Sequence, residues 1–416
     1  MIDARRLIAL VLTTGLTIAA CSDADEVTPP TSAPATTTTV PPETSGDGRL
    51  VIGVLLPRSD TVLGGPMIAA VESAVDAINA AGGVLGNPVR TIVADEGSTT
   101  GSATTGIQTL LENDVDAIIG PASSTIALAT LGGIVSAGTL ACSPTASALA
   151  LDSFPDGNLF FRTVPSDSLQ AQAIADVADQ TGALEAVVVH VDDVFGRSFA
   201  AAVEAAMAGG AISVGSTFAF TGRDDDLVDD AASVMATGAQ VVIVLADTDD
   251  GTRFLEALDA VDTDEIATIV VNDALRNPTA PQRIARLDDD LRRKIVGIAP
   301  QAGSTVRDAP FDPPGPFATN AFDCANLIAL AAVRAQSDVP ADIALQIPSV
   351  SSSGSVCRTF ADCVAAIDAG LQIDYNGPSG LTEIGRNGDP NRAVFDRFLF
   401  DSDGRDVFDR SVTASN

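Results

Sequence analysis

The chain has 416 residues, with 55 acidic against 23 basic side chains and a net charge of −32. Its pI is near 4.1. Such a surface repels phosphate backbones and argues against nucleic acid as a partner, and the length suits two domains better than one.

The N-terminus reads as a targeting segment. Arg5 and Arg6 precede an apolar run, Leu7 to Thr17, that ends in Ile18-Ala19-Ala20-Cys21. This predicts a signal peptide over 1–21, too short to span a bilayer as a stable helix. Ile-Ala-Ala-Cys resembles the lipobox of bacterial lipoproteins, which implies lipidation of Cys21; an ordinary signal peptide with an incidental cysteine is the alternative. Residues 22–49 are rich in Pro, Thr, Ser and Ala without periodicity, and predict a disordered linker. A lipid, a linker and then a folded body would hold the protein just outside a membrane.

From residue 50 the pattern alternates. Leu50–Leu56 is a short apolar run suited to a buried parallel strand. A helix opens near Pro66, with Ile68, Val71, Val75 and Ile78 at helical spacing, and stops at Gly82-Gly83. Strands follow at Val89–Ala94, Ala117–Ile119 and Thr139–Cys142, with helices at Thr105–Leu111 and from about Ser123. A second series has strands Ala186–His190, Ser213–Phe218, Val241–Leu245 and Ala267–Val271. Its helices are Phe195–Met207, Asp225–Met235 and Gly251–Leu258. Repeated βα units predict two parallel sheets, each covered on both faces, and place any site in the loops that follow the strands.

Export favours disulfides. Besides Cys21, four cysteines allow three pairings. Cys357 with Cys363, close in sequence, is the first choice, which leaves Cys142 with Cys324.

Those loops carry little catalytic chemistry. A serine nucleophile needs a base in reach, and the only histidine, His190, sits in an apolar strand; there is no GxSxG elbow. No CxxC, P-loop or GxGxxG occurs. The acidic groups at Asp224–Asp226 and Asp401–Asp406 read as caps and turns, because the second has its glycine too early for a calcium loop and no closing glutamate. No metal and no cofactor are expected. Anion binding fits better. Ser123, Ser124 and Thr125 stand where a strand gives way to a helix start, which offers free N–H groups and partial positive charge. Thr145-Ala146-Ser147 supplies a second hydroxyl loop. Helix capping alone remains the alternative.

The stretches VIGVLLP (51–57), AINAAGGVLGNPV (77–89), DAIIGPASS (116–124), SPTAS (143–147), FRTVPSD (161–167), VDDVFGRS (191–198) and NGD (387–389) occur in an order and spacing that resembles the Leu/Ile/Val-type substrate-binding lipoproteins of branched-chain amino acid ABC transporters. That resemblance implies a class I periplasmic-binding-protein fold: two Rossmann-like lobes, a three-strand hinge and a ligand in the cleft between them. Lobe 1 would comprise 50–165 plus 300–373, and lobe 2 166–299 plus 374–410. Crossings are expected near Thr163–Asp167, Ile295–Gly303 and Asp374–Gly380. A helix over Asn320–Arg334 would return to lobe 1 and bring Cys324 towards Cys142.

Carried over by position, the ligand carboxylate would meet Ser123, Ser124, Thr145 and Ser147. The ligand ammonium would meet Asp167 and Asp273. Phe195 and Asp247 stand where the family often presents tyrosines, so the side-chain preference is open. The implied function is capture of an amino acid or related small polar solute by a non-enzymatic, monomeric protein. It would act outside the cell membrane, tethered by lipid, and deliver to an ABC permease with its ATPase. A sensor of the same fold is the runner-up and a serine hydrolase a remote third.

Overall fold

The computed structural model describes residues 46–415, apart from 222–226, 278, 302–314 and 381–382. The expected signal peptide, Cys21, most of the linker and Asp224–Asp226 lie outside the described residues.

The first sheet is built from β1 (Val51–Leu56), β2 (Arg90–Asp95), β3 (Ala117–Ile119), β4 (Leu140–Ser143) and β5 (Phe160–Arg162), in the order β2-β1-β3-β4-β5. All its pairings are parallel. β1 shows why an unbroken apolar run suits this position. Ile52, Val54 and Leu56 enter one core, against the helices Gly64–Ala80 and Ala318–Ala335, and Leu55 enters the core on the opposite face. A strand buried on both faces has no use for polar alternation.

The second sheet repeats the winding with β6 (Glu185–Val191), β7 (Ser213–Phe220), β8 (Val241–Leu245), β9 (Thr268–Val271) and β10 (Ile295–Pro300). Val187, Val189 and Val191 face one core and Ala186 and Val188 the other. A small parallel pair, β11 (Ser355–Cys357) with β12 (Ile373–Tyr375), stands apart. A hairpin of β13 (Arg392–Phe400) and β14 (Asp406–Ser415) then pairs antiparallel onto β10. The sheet order becomes β14-β13-β10-β9-β8-β6-β7. The acidic run Asp401–Asp406 closes this hairpin, with Asp401 Oδ1 accepting from the N–H groups of Asp403 and Arg405 at 2.9 Å each. It is a turn, as its composition suggested.

Both sheets reverse strand order after their first strand, between β1 and β3 and between β6 and β8. In open α/β sheets the crevice at such a point, beyond the carboxyl ends of the strands, is where ligands sit.

The crossings between lobes differ in one place from the sequence expectation. The first runs from β5 into the helix Asp167–Asp179, which packs on the second lobe, as expected. At the second, Ile295–Pro300 is wholly a strand of the second sheet, so the chain leaves only after Pro300. The third lies at about 385–391 rather than at Asp374–Gly380. Tyr375 and Ile384 still pack in the first lobe's core, and β13 begins at Arg392. The reason is Asp323, buried on the helix Ala318–Ala335. Its carboxylate accepts from the Tyr375 hydroxyl at 2.7 Å and the Ser379 N–H at 2.9 Å, which holds 375–379 on lobe 1. Burial pushes the Asp323 carboxyl up to about 6.

Two covalent links and one ionic one fasten this arrangement. Cys142 at the end of β4 is bonded to Cys324, and Cys357 to Cys363. Arg162 at the end of β5 is fully buried. Its Nε donates to Asp389 at 2.7 Å, one terminal nitrogen donates to Asp152 at 2.6 Å, and the other reaches the carbonyls of Ala146 and Ala148 at 3.3 Å each. Its backbone N–H donates to the Gly388 carbonyl at 2.9 Å. Gly388 has φ +82°, and a Cβ there would lie 2.1 Å from the Phe160 carbonyl oxygen, so only glycine allows the third crossing to approach β5 this closely.

Removing Arg162 leaves Asp389 buried without its cation. Arg162→Met should therefore lose about 3–5 kcal/mol in urea unfolding, and Arg162→Met with Asp389→Asn should recover part of that loss. The Cys142–Cys324 link spans 182 residues. Chain-entropy reasoning puts its contribution near 5 kcal/mol at most, so the double alanine variant should unfold at clearly lower urea, with loss of about 2–5 kcal/mol.

Candidate functional site

The sequence GPASS ends β3 and starts the helix Ser124–Ser136. Gly120 has φ +122°, and a Cβ there would fall 2.0 Å from the Leu55 carbonyl oxygen. Only glycine brings this loop so close to the end of β1.

A helix start leaves its first N–H groups without internal acceptors. Here some are already answered. The buried Glu96, just past β2, accepts from the Ala122 N–H at 2.8 Å and the Ser123 N–H at 2.9 Å. Burial raises the Glu96 carboxyl while these two N–H groups pull it down. Ser123 caps the helix, its Oγ accepting from the Ile126 N–H at 3.4 Å. Ser123 thus serves the helix, as the capping alternative held. The backbone N–H groups of Ser124 and Thr125 have no acceptor among the described residues, and they are the donors left for an anion.

The second loop lies against the first. Ser143 Oγ donates to the Pro121 carbonyl at 2.6 Å, and the Ala148 N–H donates to Ser124 Oγ at 3.3 Å. Thr145 Oγ1 donates to the Ala122 carbonyl at 2.6 Å. Ser147 shares a side-chain hydrogen bond with the Asp167 carboxylate, and its carbonyl accepts from the Asp167 N–H at 2.9 Å. The hydroxyl protons of Thr145 and Ser147 are therefore committed, so these oxygens offer lone pairs rather than donors. Both residues sit where the sequence placed them, but their chemistry suits a cation better than a carboxylate.

Asp167 opens the helix Asp167–Asp179, which Ser166 caps while also donating to Asp152. The side chain is buried, and that burial is the main reason its carboxyl is pushed up to about 7. The Ser147 hydroxyl opposes the shift and the neighbouring Asp273 adds to it. Gln170, one turn further along, donates from Nε2 to Asp273 Oδ1 and to the Ile298 carbonyl at 2.9 Å each. Asp273 follows β9 and lies in a crevice crowded by protein atoms, though part of its surface stays open. Its carboxyl is also raised, chiefly by burial. Ser124, Thr145 and Ser147 thus sit on two adjoining loops of lobe 1, and Asp167 and Asp273 of lobe 2 form one constellation with them through the Ser147–Asp167 hydrogen bond and the mutual influence of the two acids.

Phe195 and Asp247 stand at the second lobe's reversal point but are not joined to that constellation by any contact among the described residues. Phe195 is half-buried and meets Phe199 edge-on at 5.6 Å. Asp247 is exposed and caps the helix Thr248–Asp259, accepting from the Asp250 N–H at 2.8 Å. His190 is buried with Nδ1 on the Val191 carbonyl at 2.8 Å, in the other sheet from Ser124. Among the described residues no group of three or more His, Cys, Asp or Glu is arranged to hold a metal ion.

Sequence reasoning did not single out Glu96, Arg162, Asp389 or Gln170. Arg162 and Asp389 lay inside the quoted FRT and NGD stretches, but nothing in the sequence pairs residues 227 apart.

Comparison with known proteins agrees with this fold. A family model described as "Periplasmic binding protein" matches residues 50–284. The Leu/Ile/Val-binding protein homolog 3 of Brucella melitensis is 26% identical over 196 residues, 46% of this chain. Glutamate receptor 3.4 of Arabidopsis thaliana is 32% identical over 142 residues, 33% of this chain. The chain spans 53% of the length of the first relative and 14% of the second. In shape it is similar to an ABC transporter substrate-binding protein from Desulfitobacterium hafniense in complex with Leu, at TM-score 0.63 and 19% identity, covering 88% of this chain and 97% of that one. It is similar also to the branched-chain amino acid transporter substrate binding protein LivJ of Streptococcus pneumoniae in complex with isoleucine, at TM-score 0.65 and 18% identity, covering 88% and 100%. Two similarly wound α/β lobes and a family match over more than half its length establish that this chain belongs to the periplasmic binding protein family, with the class I fold.

Proposed function

We propose that the protein is the solute-binding component of an ABC importer and captures an amino acid or a closely related small zwitterion between its lobes. It would work outside the cell membrane as a monomer, tethered through lipid on Cys21 and the linker, and would hand its ligand to a permease driven by an ATPase. The observation that carries this reading is the polarity of the constellation. Unanswered N–H groups of Ser124 and Thr125 stand at one end, and the Asp167 and Asp273 carboxylates, which make no ion pair among the described residues, stand at the other. A zwitterion placed between them has its carboxylate on helix-start donors and its ammonium on two acids through charge-assisted bonds. Thr145 and Ser147 then offer acceptor lone pairs on the ammonium side. Relatives named for Leu, Ile and Val support an amino acid ligand. Phe195 and Asp247, at the second lobe's rim, would bear on the ligand's side chain.

A sensor of the same fold is the second reading, because plant proteins named glutamate receptors match over about a third of the chain. Permease and ATPase genes adjoining this one would decide for transport.

A thermal-shift screen of the common amino acids should give at least one stabilising ligand. Asp167→Asn should weaken that ligand at least about tenfold, whereas Asp247→Ala, at the rim, should weaken it less and cost about 1 kcal/mol of stability through the lost cap. Equal binding by the Asp167→Asn variant would remove that residue from the site. The pH dependence has a definite sign. An ammonium needs ionised Asp167, whose carboxyl titrates near 7 in the free protein. Affinity should therefore fall as pH drops below 7, by up to about tenfold per unit, with proton release on binding. Calorimetry in buffers of different ionisation enthalpy measures both, and the Asp167→Asn variant should show a flatter profile.

A further inference from the structure

Behind the hinge lies a recess of about 930 Å³. It opens where the chain enters β5, at the opposite end of that strand from the candidate cleft. Its walls come from the turn before β5, the helix Pro340–Val350 and the third crossing. Phe161 and Ile384 form a buried apolar floor, with Pro348 beside them and Leu345 at the mouth, 74% exposed.

The polar lining is one-sided. Among the described residues Arg386 contributes the recess's only charge and has no ion pair or hydrogen-bond partner. The side-chain amides of Asn158 and Asn391 line the same space. The Ser349 and Ser352 hydroxyls donate back to the Gln346 and Pro348 carbonyls of their own helix, at 2.8 Å each. Among the described residues no carboxylate lines the recess, in a chain with 55 acidic residues and a net charge of −32. Asp156 and Glu383 flank it in sequence, but Asp156 turns to the Asn158 backbone N–H at 2.8 Å. A guanidinium left without a partner in so acidic a chain, above an apolar floor, complements a molecule with an anionic head and an apolar body. Its planar fork of donors matches a carboxylate, and the volume is within the range of small-molecule sites.

We propose that this recess is a second binding site, separate from the cleft, for a small amphiphilic carboxylate. The carboxylate rests on Arg386 between Asn158 and Asn391, and the alkyl or aryl body covers Phe161, Leu345, Pro348 and Ile384.

Octanoate is the probe, with octanol and octylammonium as matched neutral and cationic controls, measured by titration calorimetry on the full chain. Octanoate should bind one to one and more tightly than either control. Arg386→Ala should weaken it at least about tenfold, and Arg386→Lys less. Arg386 is exposed, so the variants should melt like the parent, and that is checked first. Asp167→Asn should bind octanoate as the parent does, which separates this site from the cleft and from the amino acid reading. Octanol binding as tightly as octanoate would overturn the proposal. So would octanoate affinity unchanged in Arg386→Ala, lost in Asp167→Asn, or too weak to saturate by about 10 mM, where the binding free energy is under about 3 kcal/mol.

Discussion

The buried guanidinium of Arg162 sets the geometry on which the rest depends. A fully buried arginine is tolerated only when its charge and its donors are answered. Here the answers come from separate places: Asp152, Asp389 in the third crossing, and the carbonyls of Ala146 and Ala148 in the second hydroxyl loop. Satisfying one side chain therefore fixes the loop that carries Thr145 and Ser147, and it pins the third crossing against the first. Asp152 also receives the Ser166 hydroxyl, and Ser166 caps the helix that begins with Asp167. One ionic cluster thus orients both the hydroxyl loop of lobe 1 and the principal acid of lobe 2. Coupling of this kind is physical, carried by a contiguous hydrogen-bonded network.

Glu96 performs the corresponding task at the helix start. A carboxylate on the N–H groups of Ala122 and Ser123 is favourable in its own right, and it also narrows the site. By answering those two groups it leaves Ser124 and Thr125 as the free donors, so an incoming anion is directed to one position. It adds negative charge nearby as well. Under the proposed function a ligand carboxylate would be held by directed N–H groups rather than by net positive potential, and a ligand bearing more negative charge than a zwitterion would meet Glu96, Asp167 and Asp273 together.

The fold was legible in the sequence wherever a local pattern decided it. Strands such as Val241–Leu245 and Ala117–Ile119 are apolar runs bounded by turn residues, and burial on both faces makes such runs unmistakable. The hairpin β13–β14 was not read, because β14 is exposed along most of its length and carries Asp406, Asp409 and Arg410 where a buried strand would be apolar. The third crossing was placed too early for a different reason. Its position is set by Asp323 gripping Tyr375 and Ser379, a tertiary contact without a local signature. The candidate site divides in the same way. GPASS and the acid after FRTVPS could be located from sequence, but the direction in which each hydroxyl donates could not. That direction depends on which oxygen lies opposite, and it leaves Thr145 and Ser147 with lone pairs to offer rather than donors.

The same polarity bears on how binding would be coupled to closure. Burial raises both the Asp167 and Asp273 carboxyls, and Asp273 adds to the shift at Asp167; the Ser147 hydroxyl and Arg162 oppose it at Asp167, and the Gln170 amide and Arg276 at Asp273. Bringing two such groups together without a cation is costly. Ser147 belongs to lobe 1 and both acids to lobe 2, so the Ser147 contact is what joins the lobes at this point. Under the proposed function a ligand ammonium would relieve that cost on lobe 2, and the same ligand would reach the lobe 1 donors only while the lobes are together. A ligand shifts a conformational equilibrium only by its differential affinity for the two forms. Under the proposed function, strained acids on one lobe and helix-start donors on the other therefore supply that difference. They do so without requiring any change in the side chains that line the cleft.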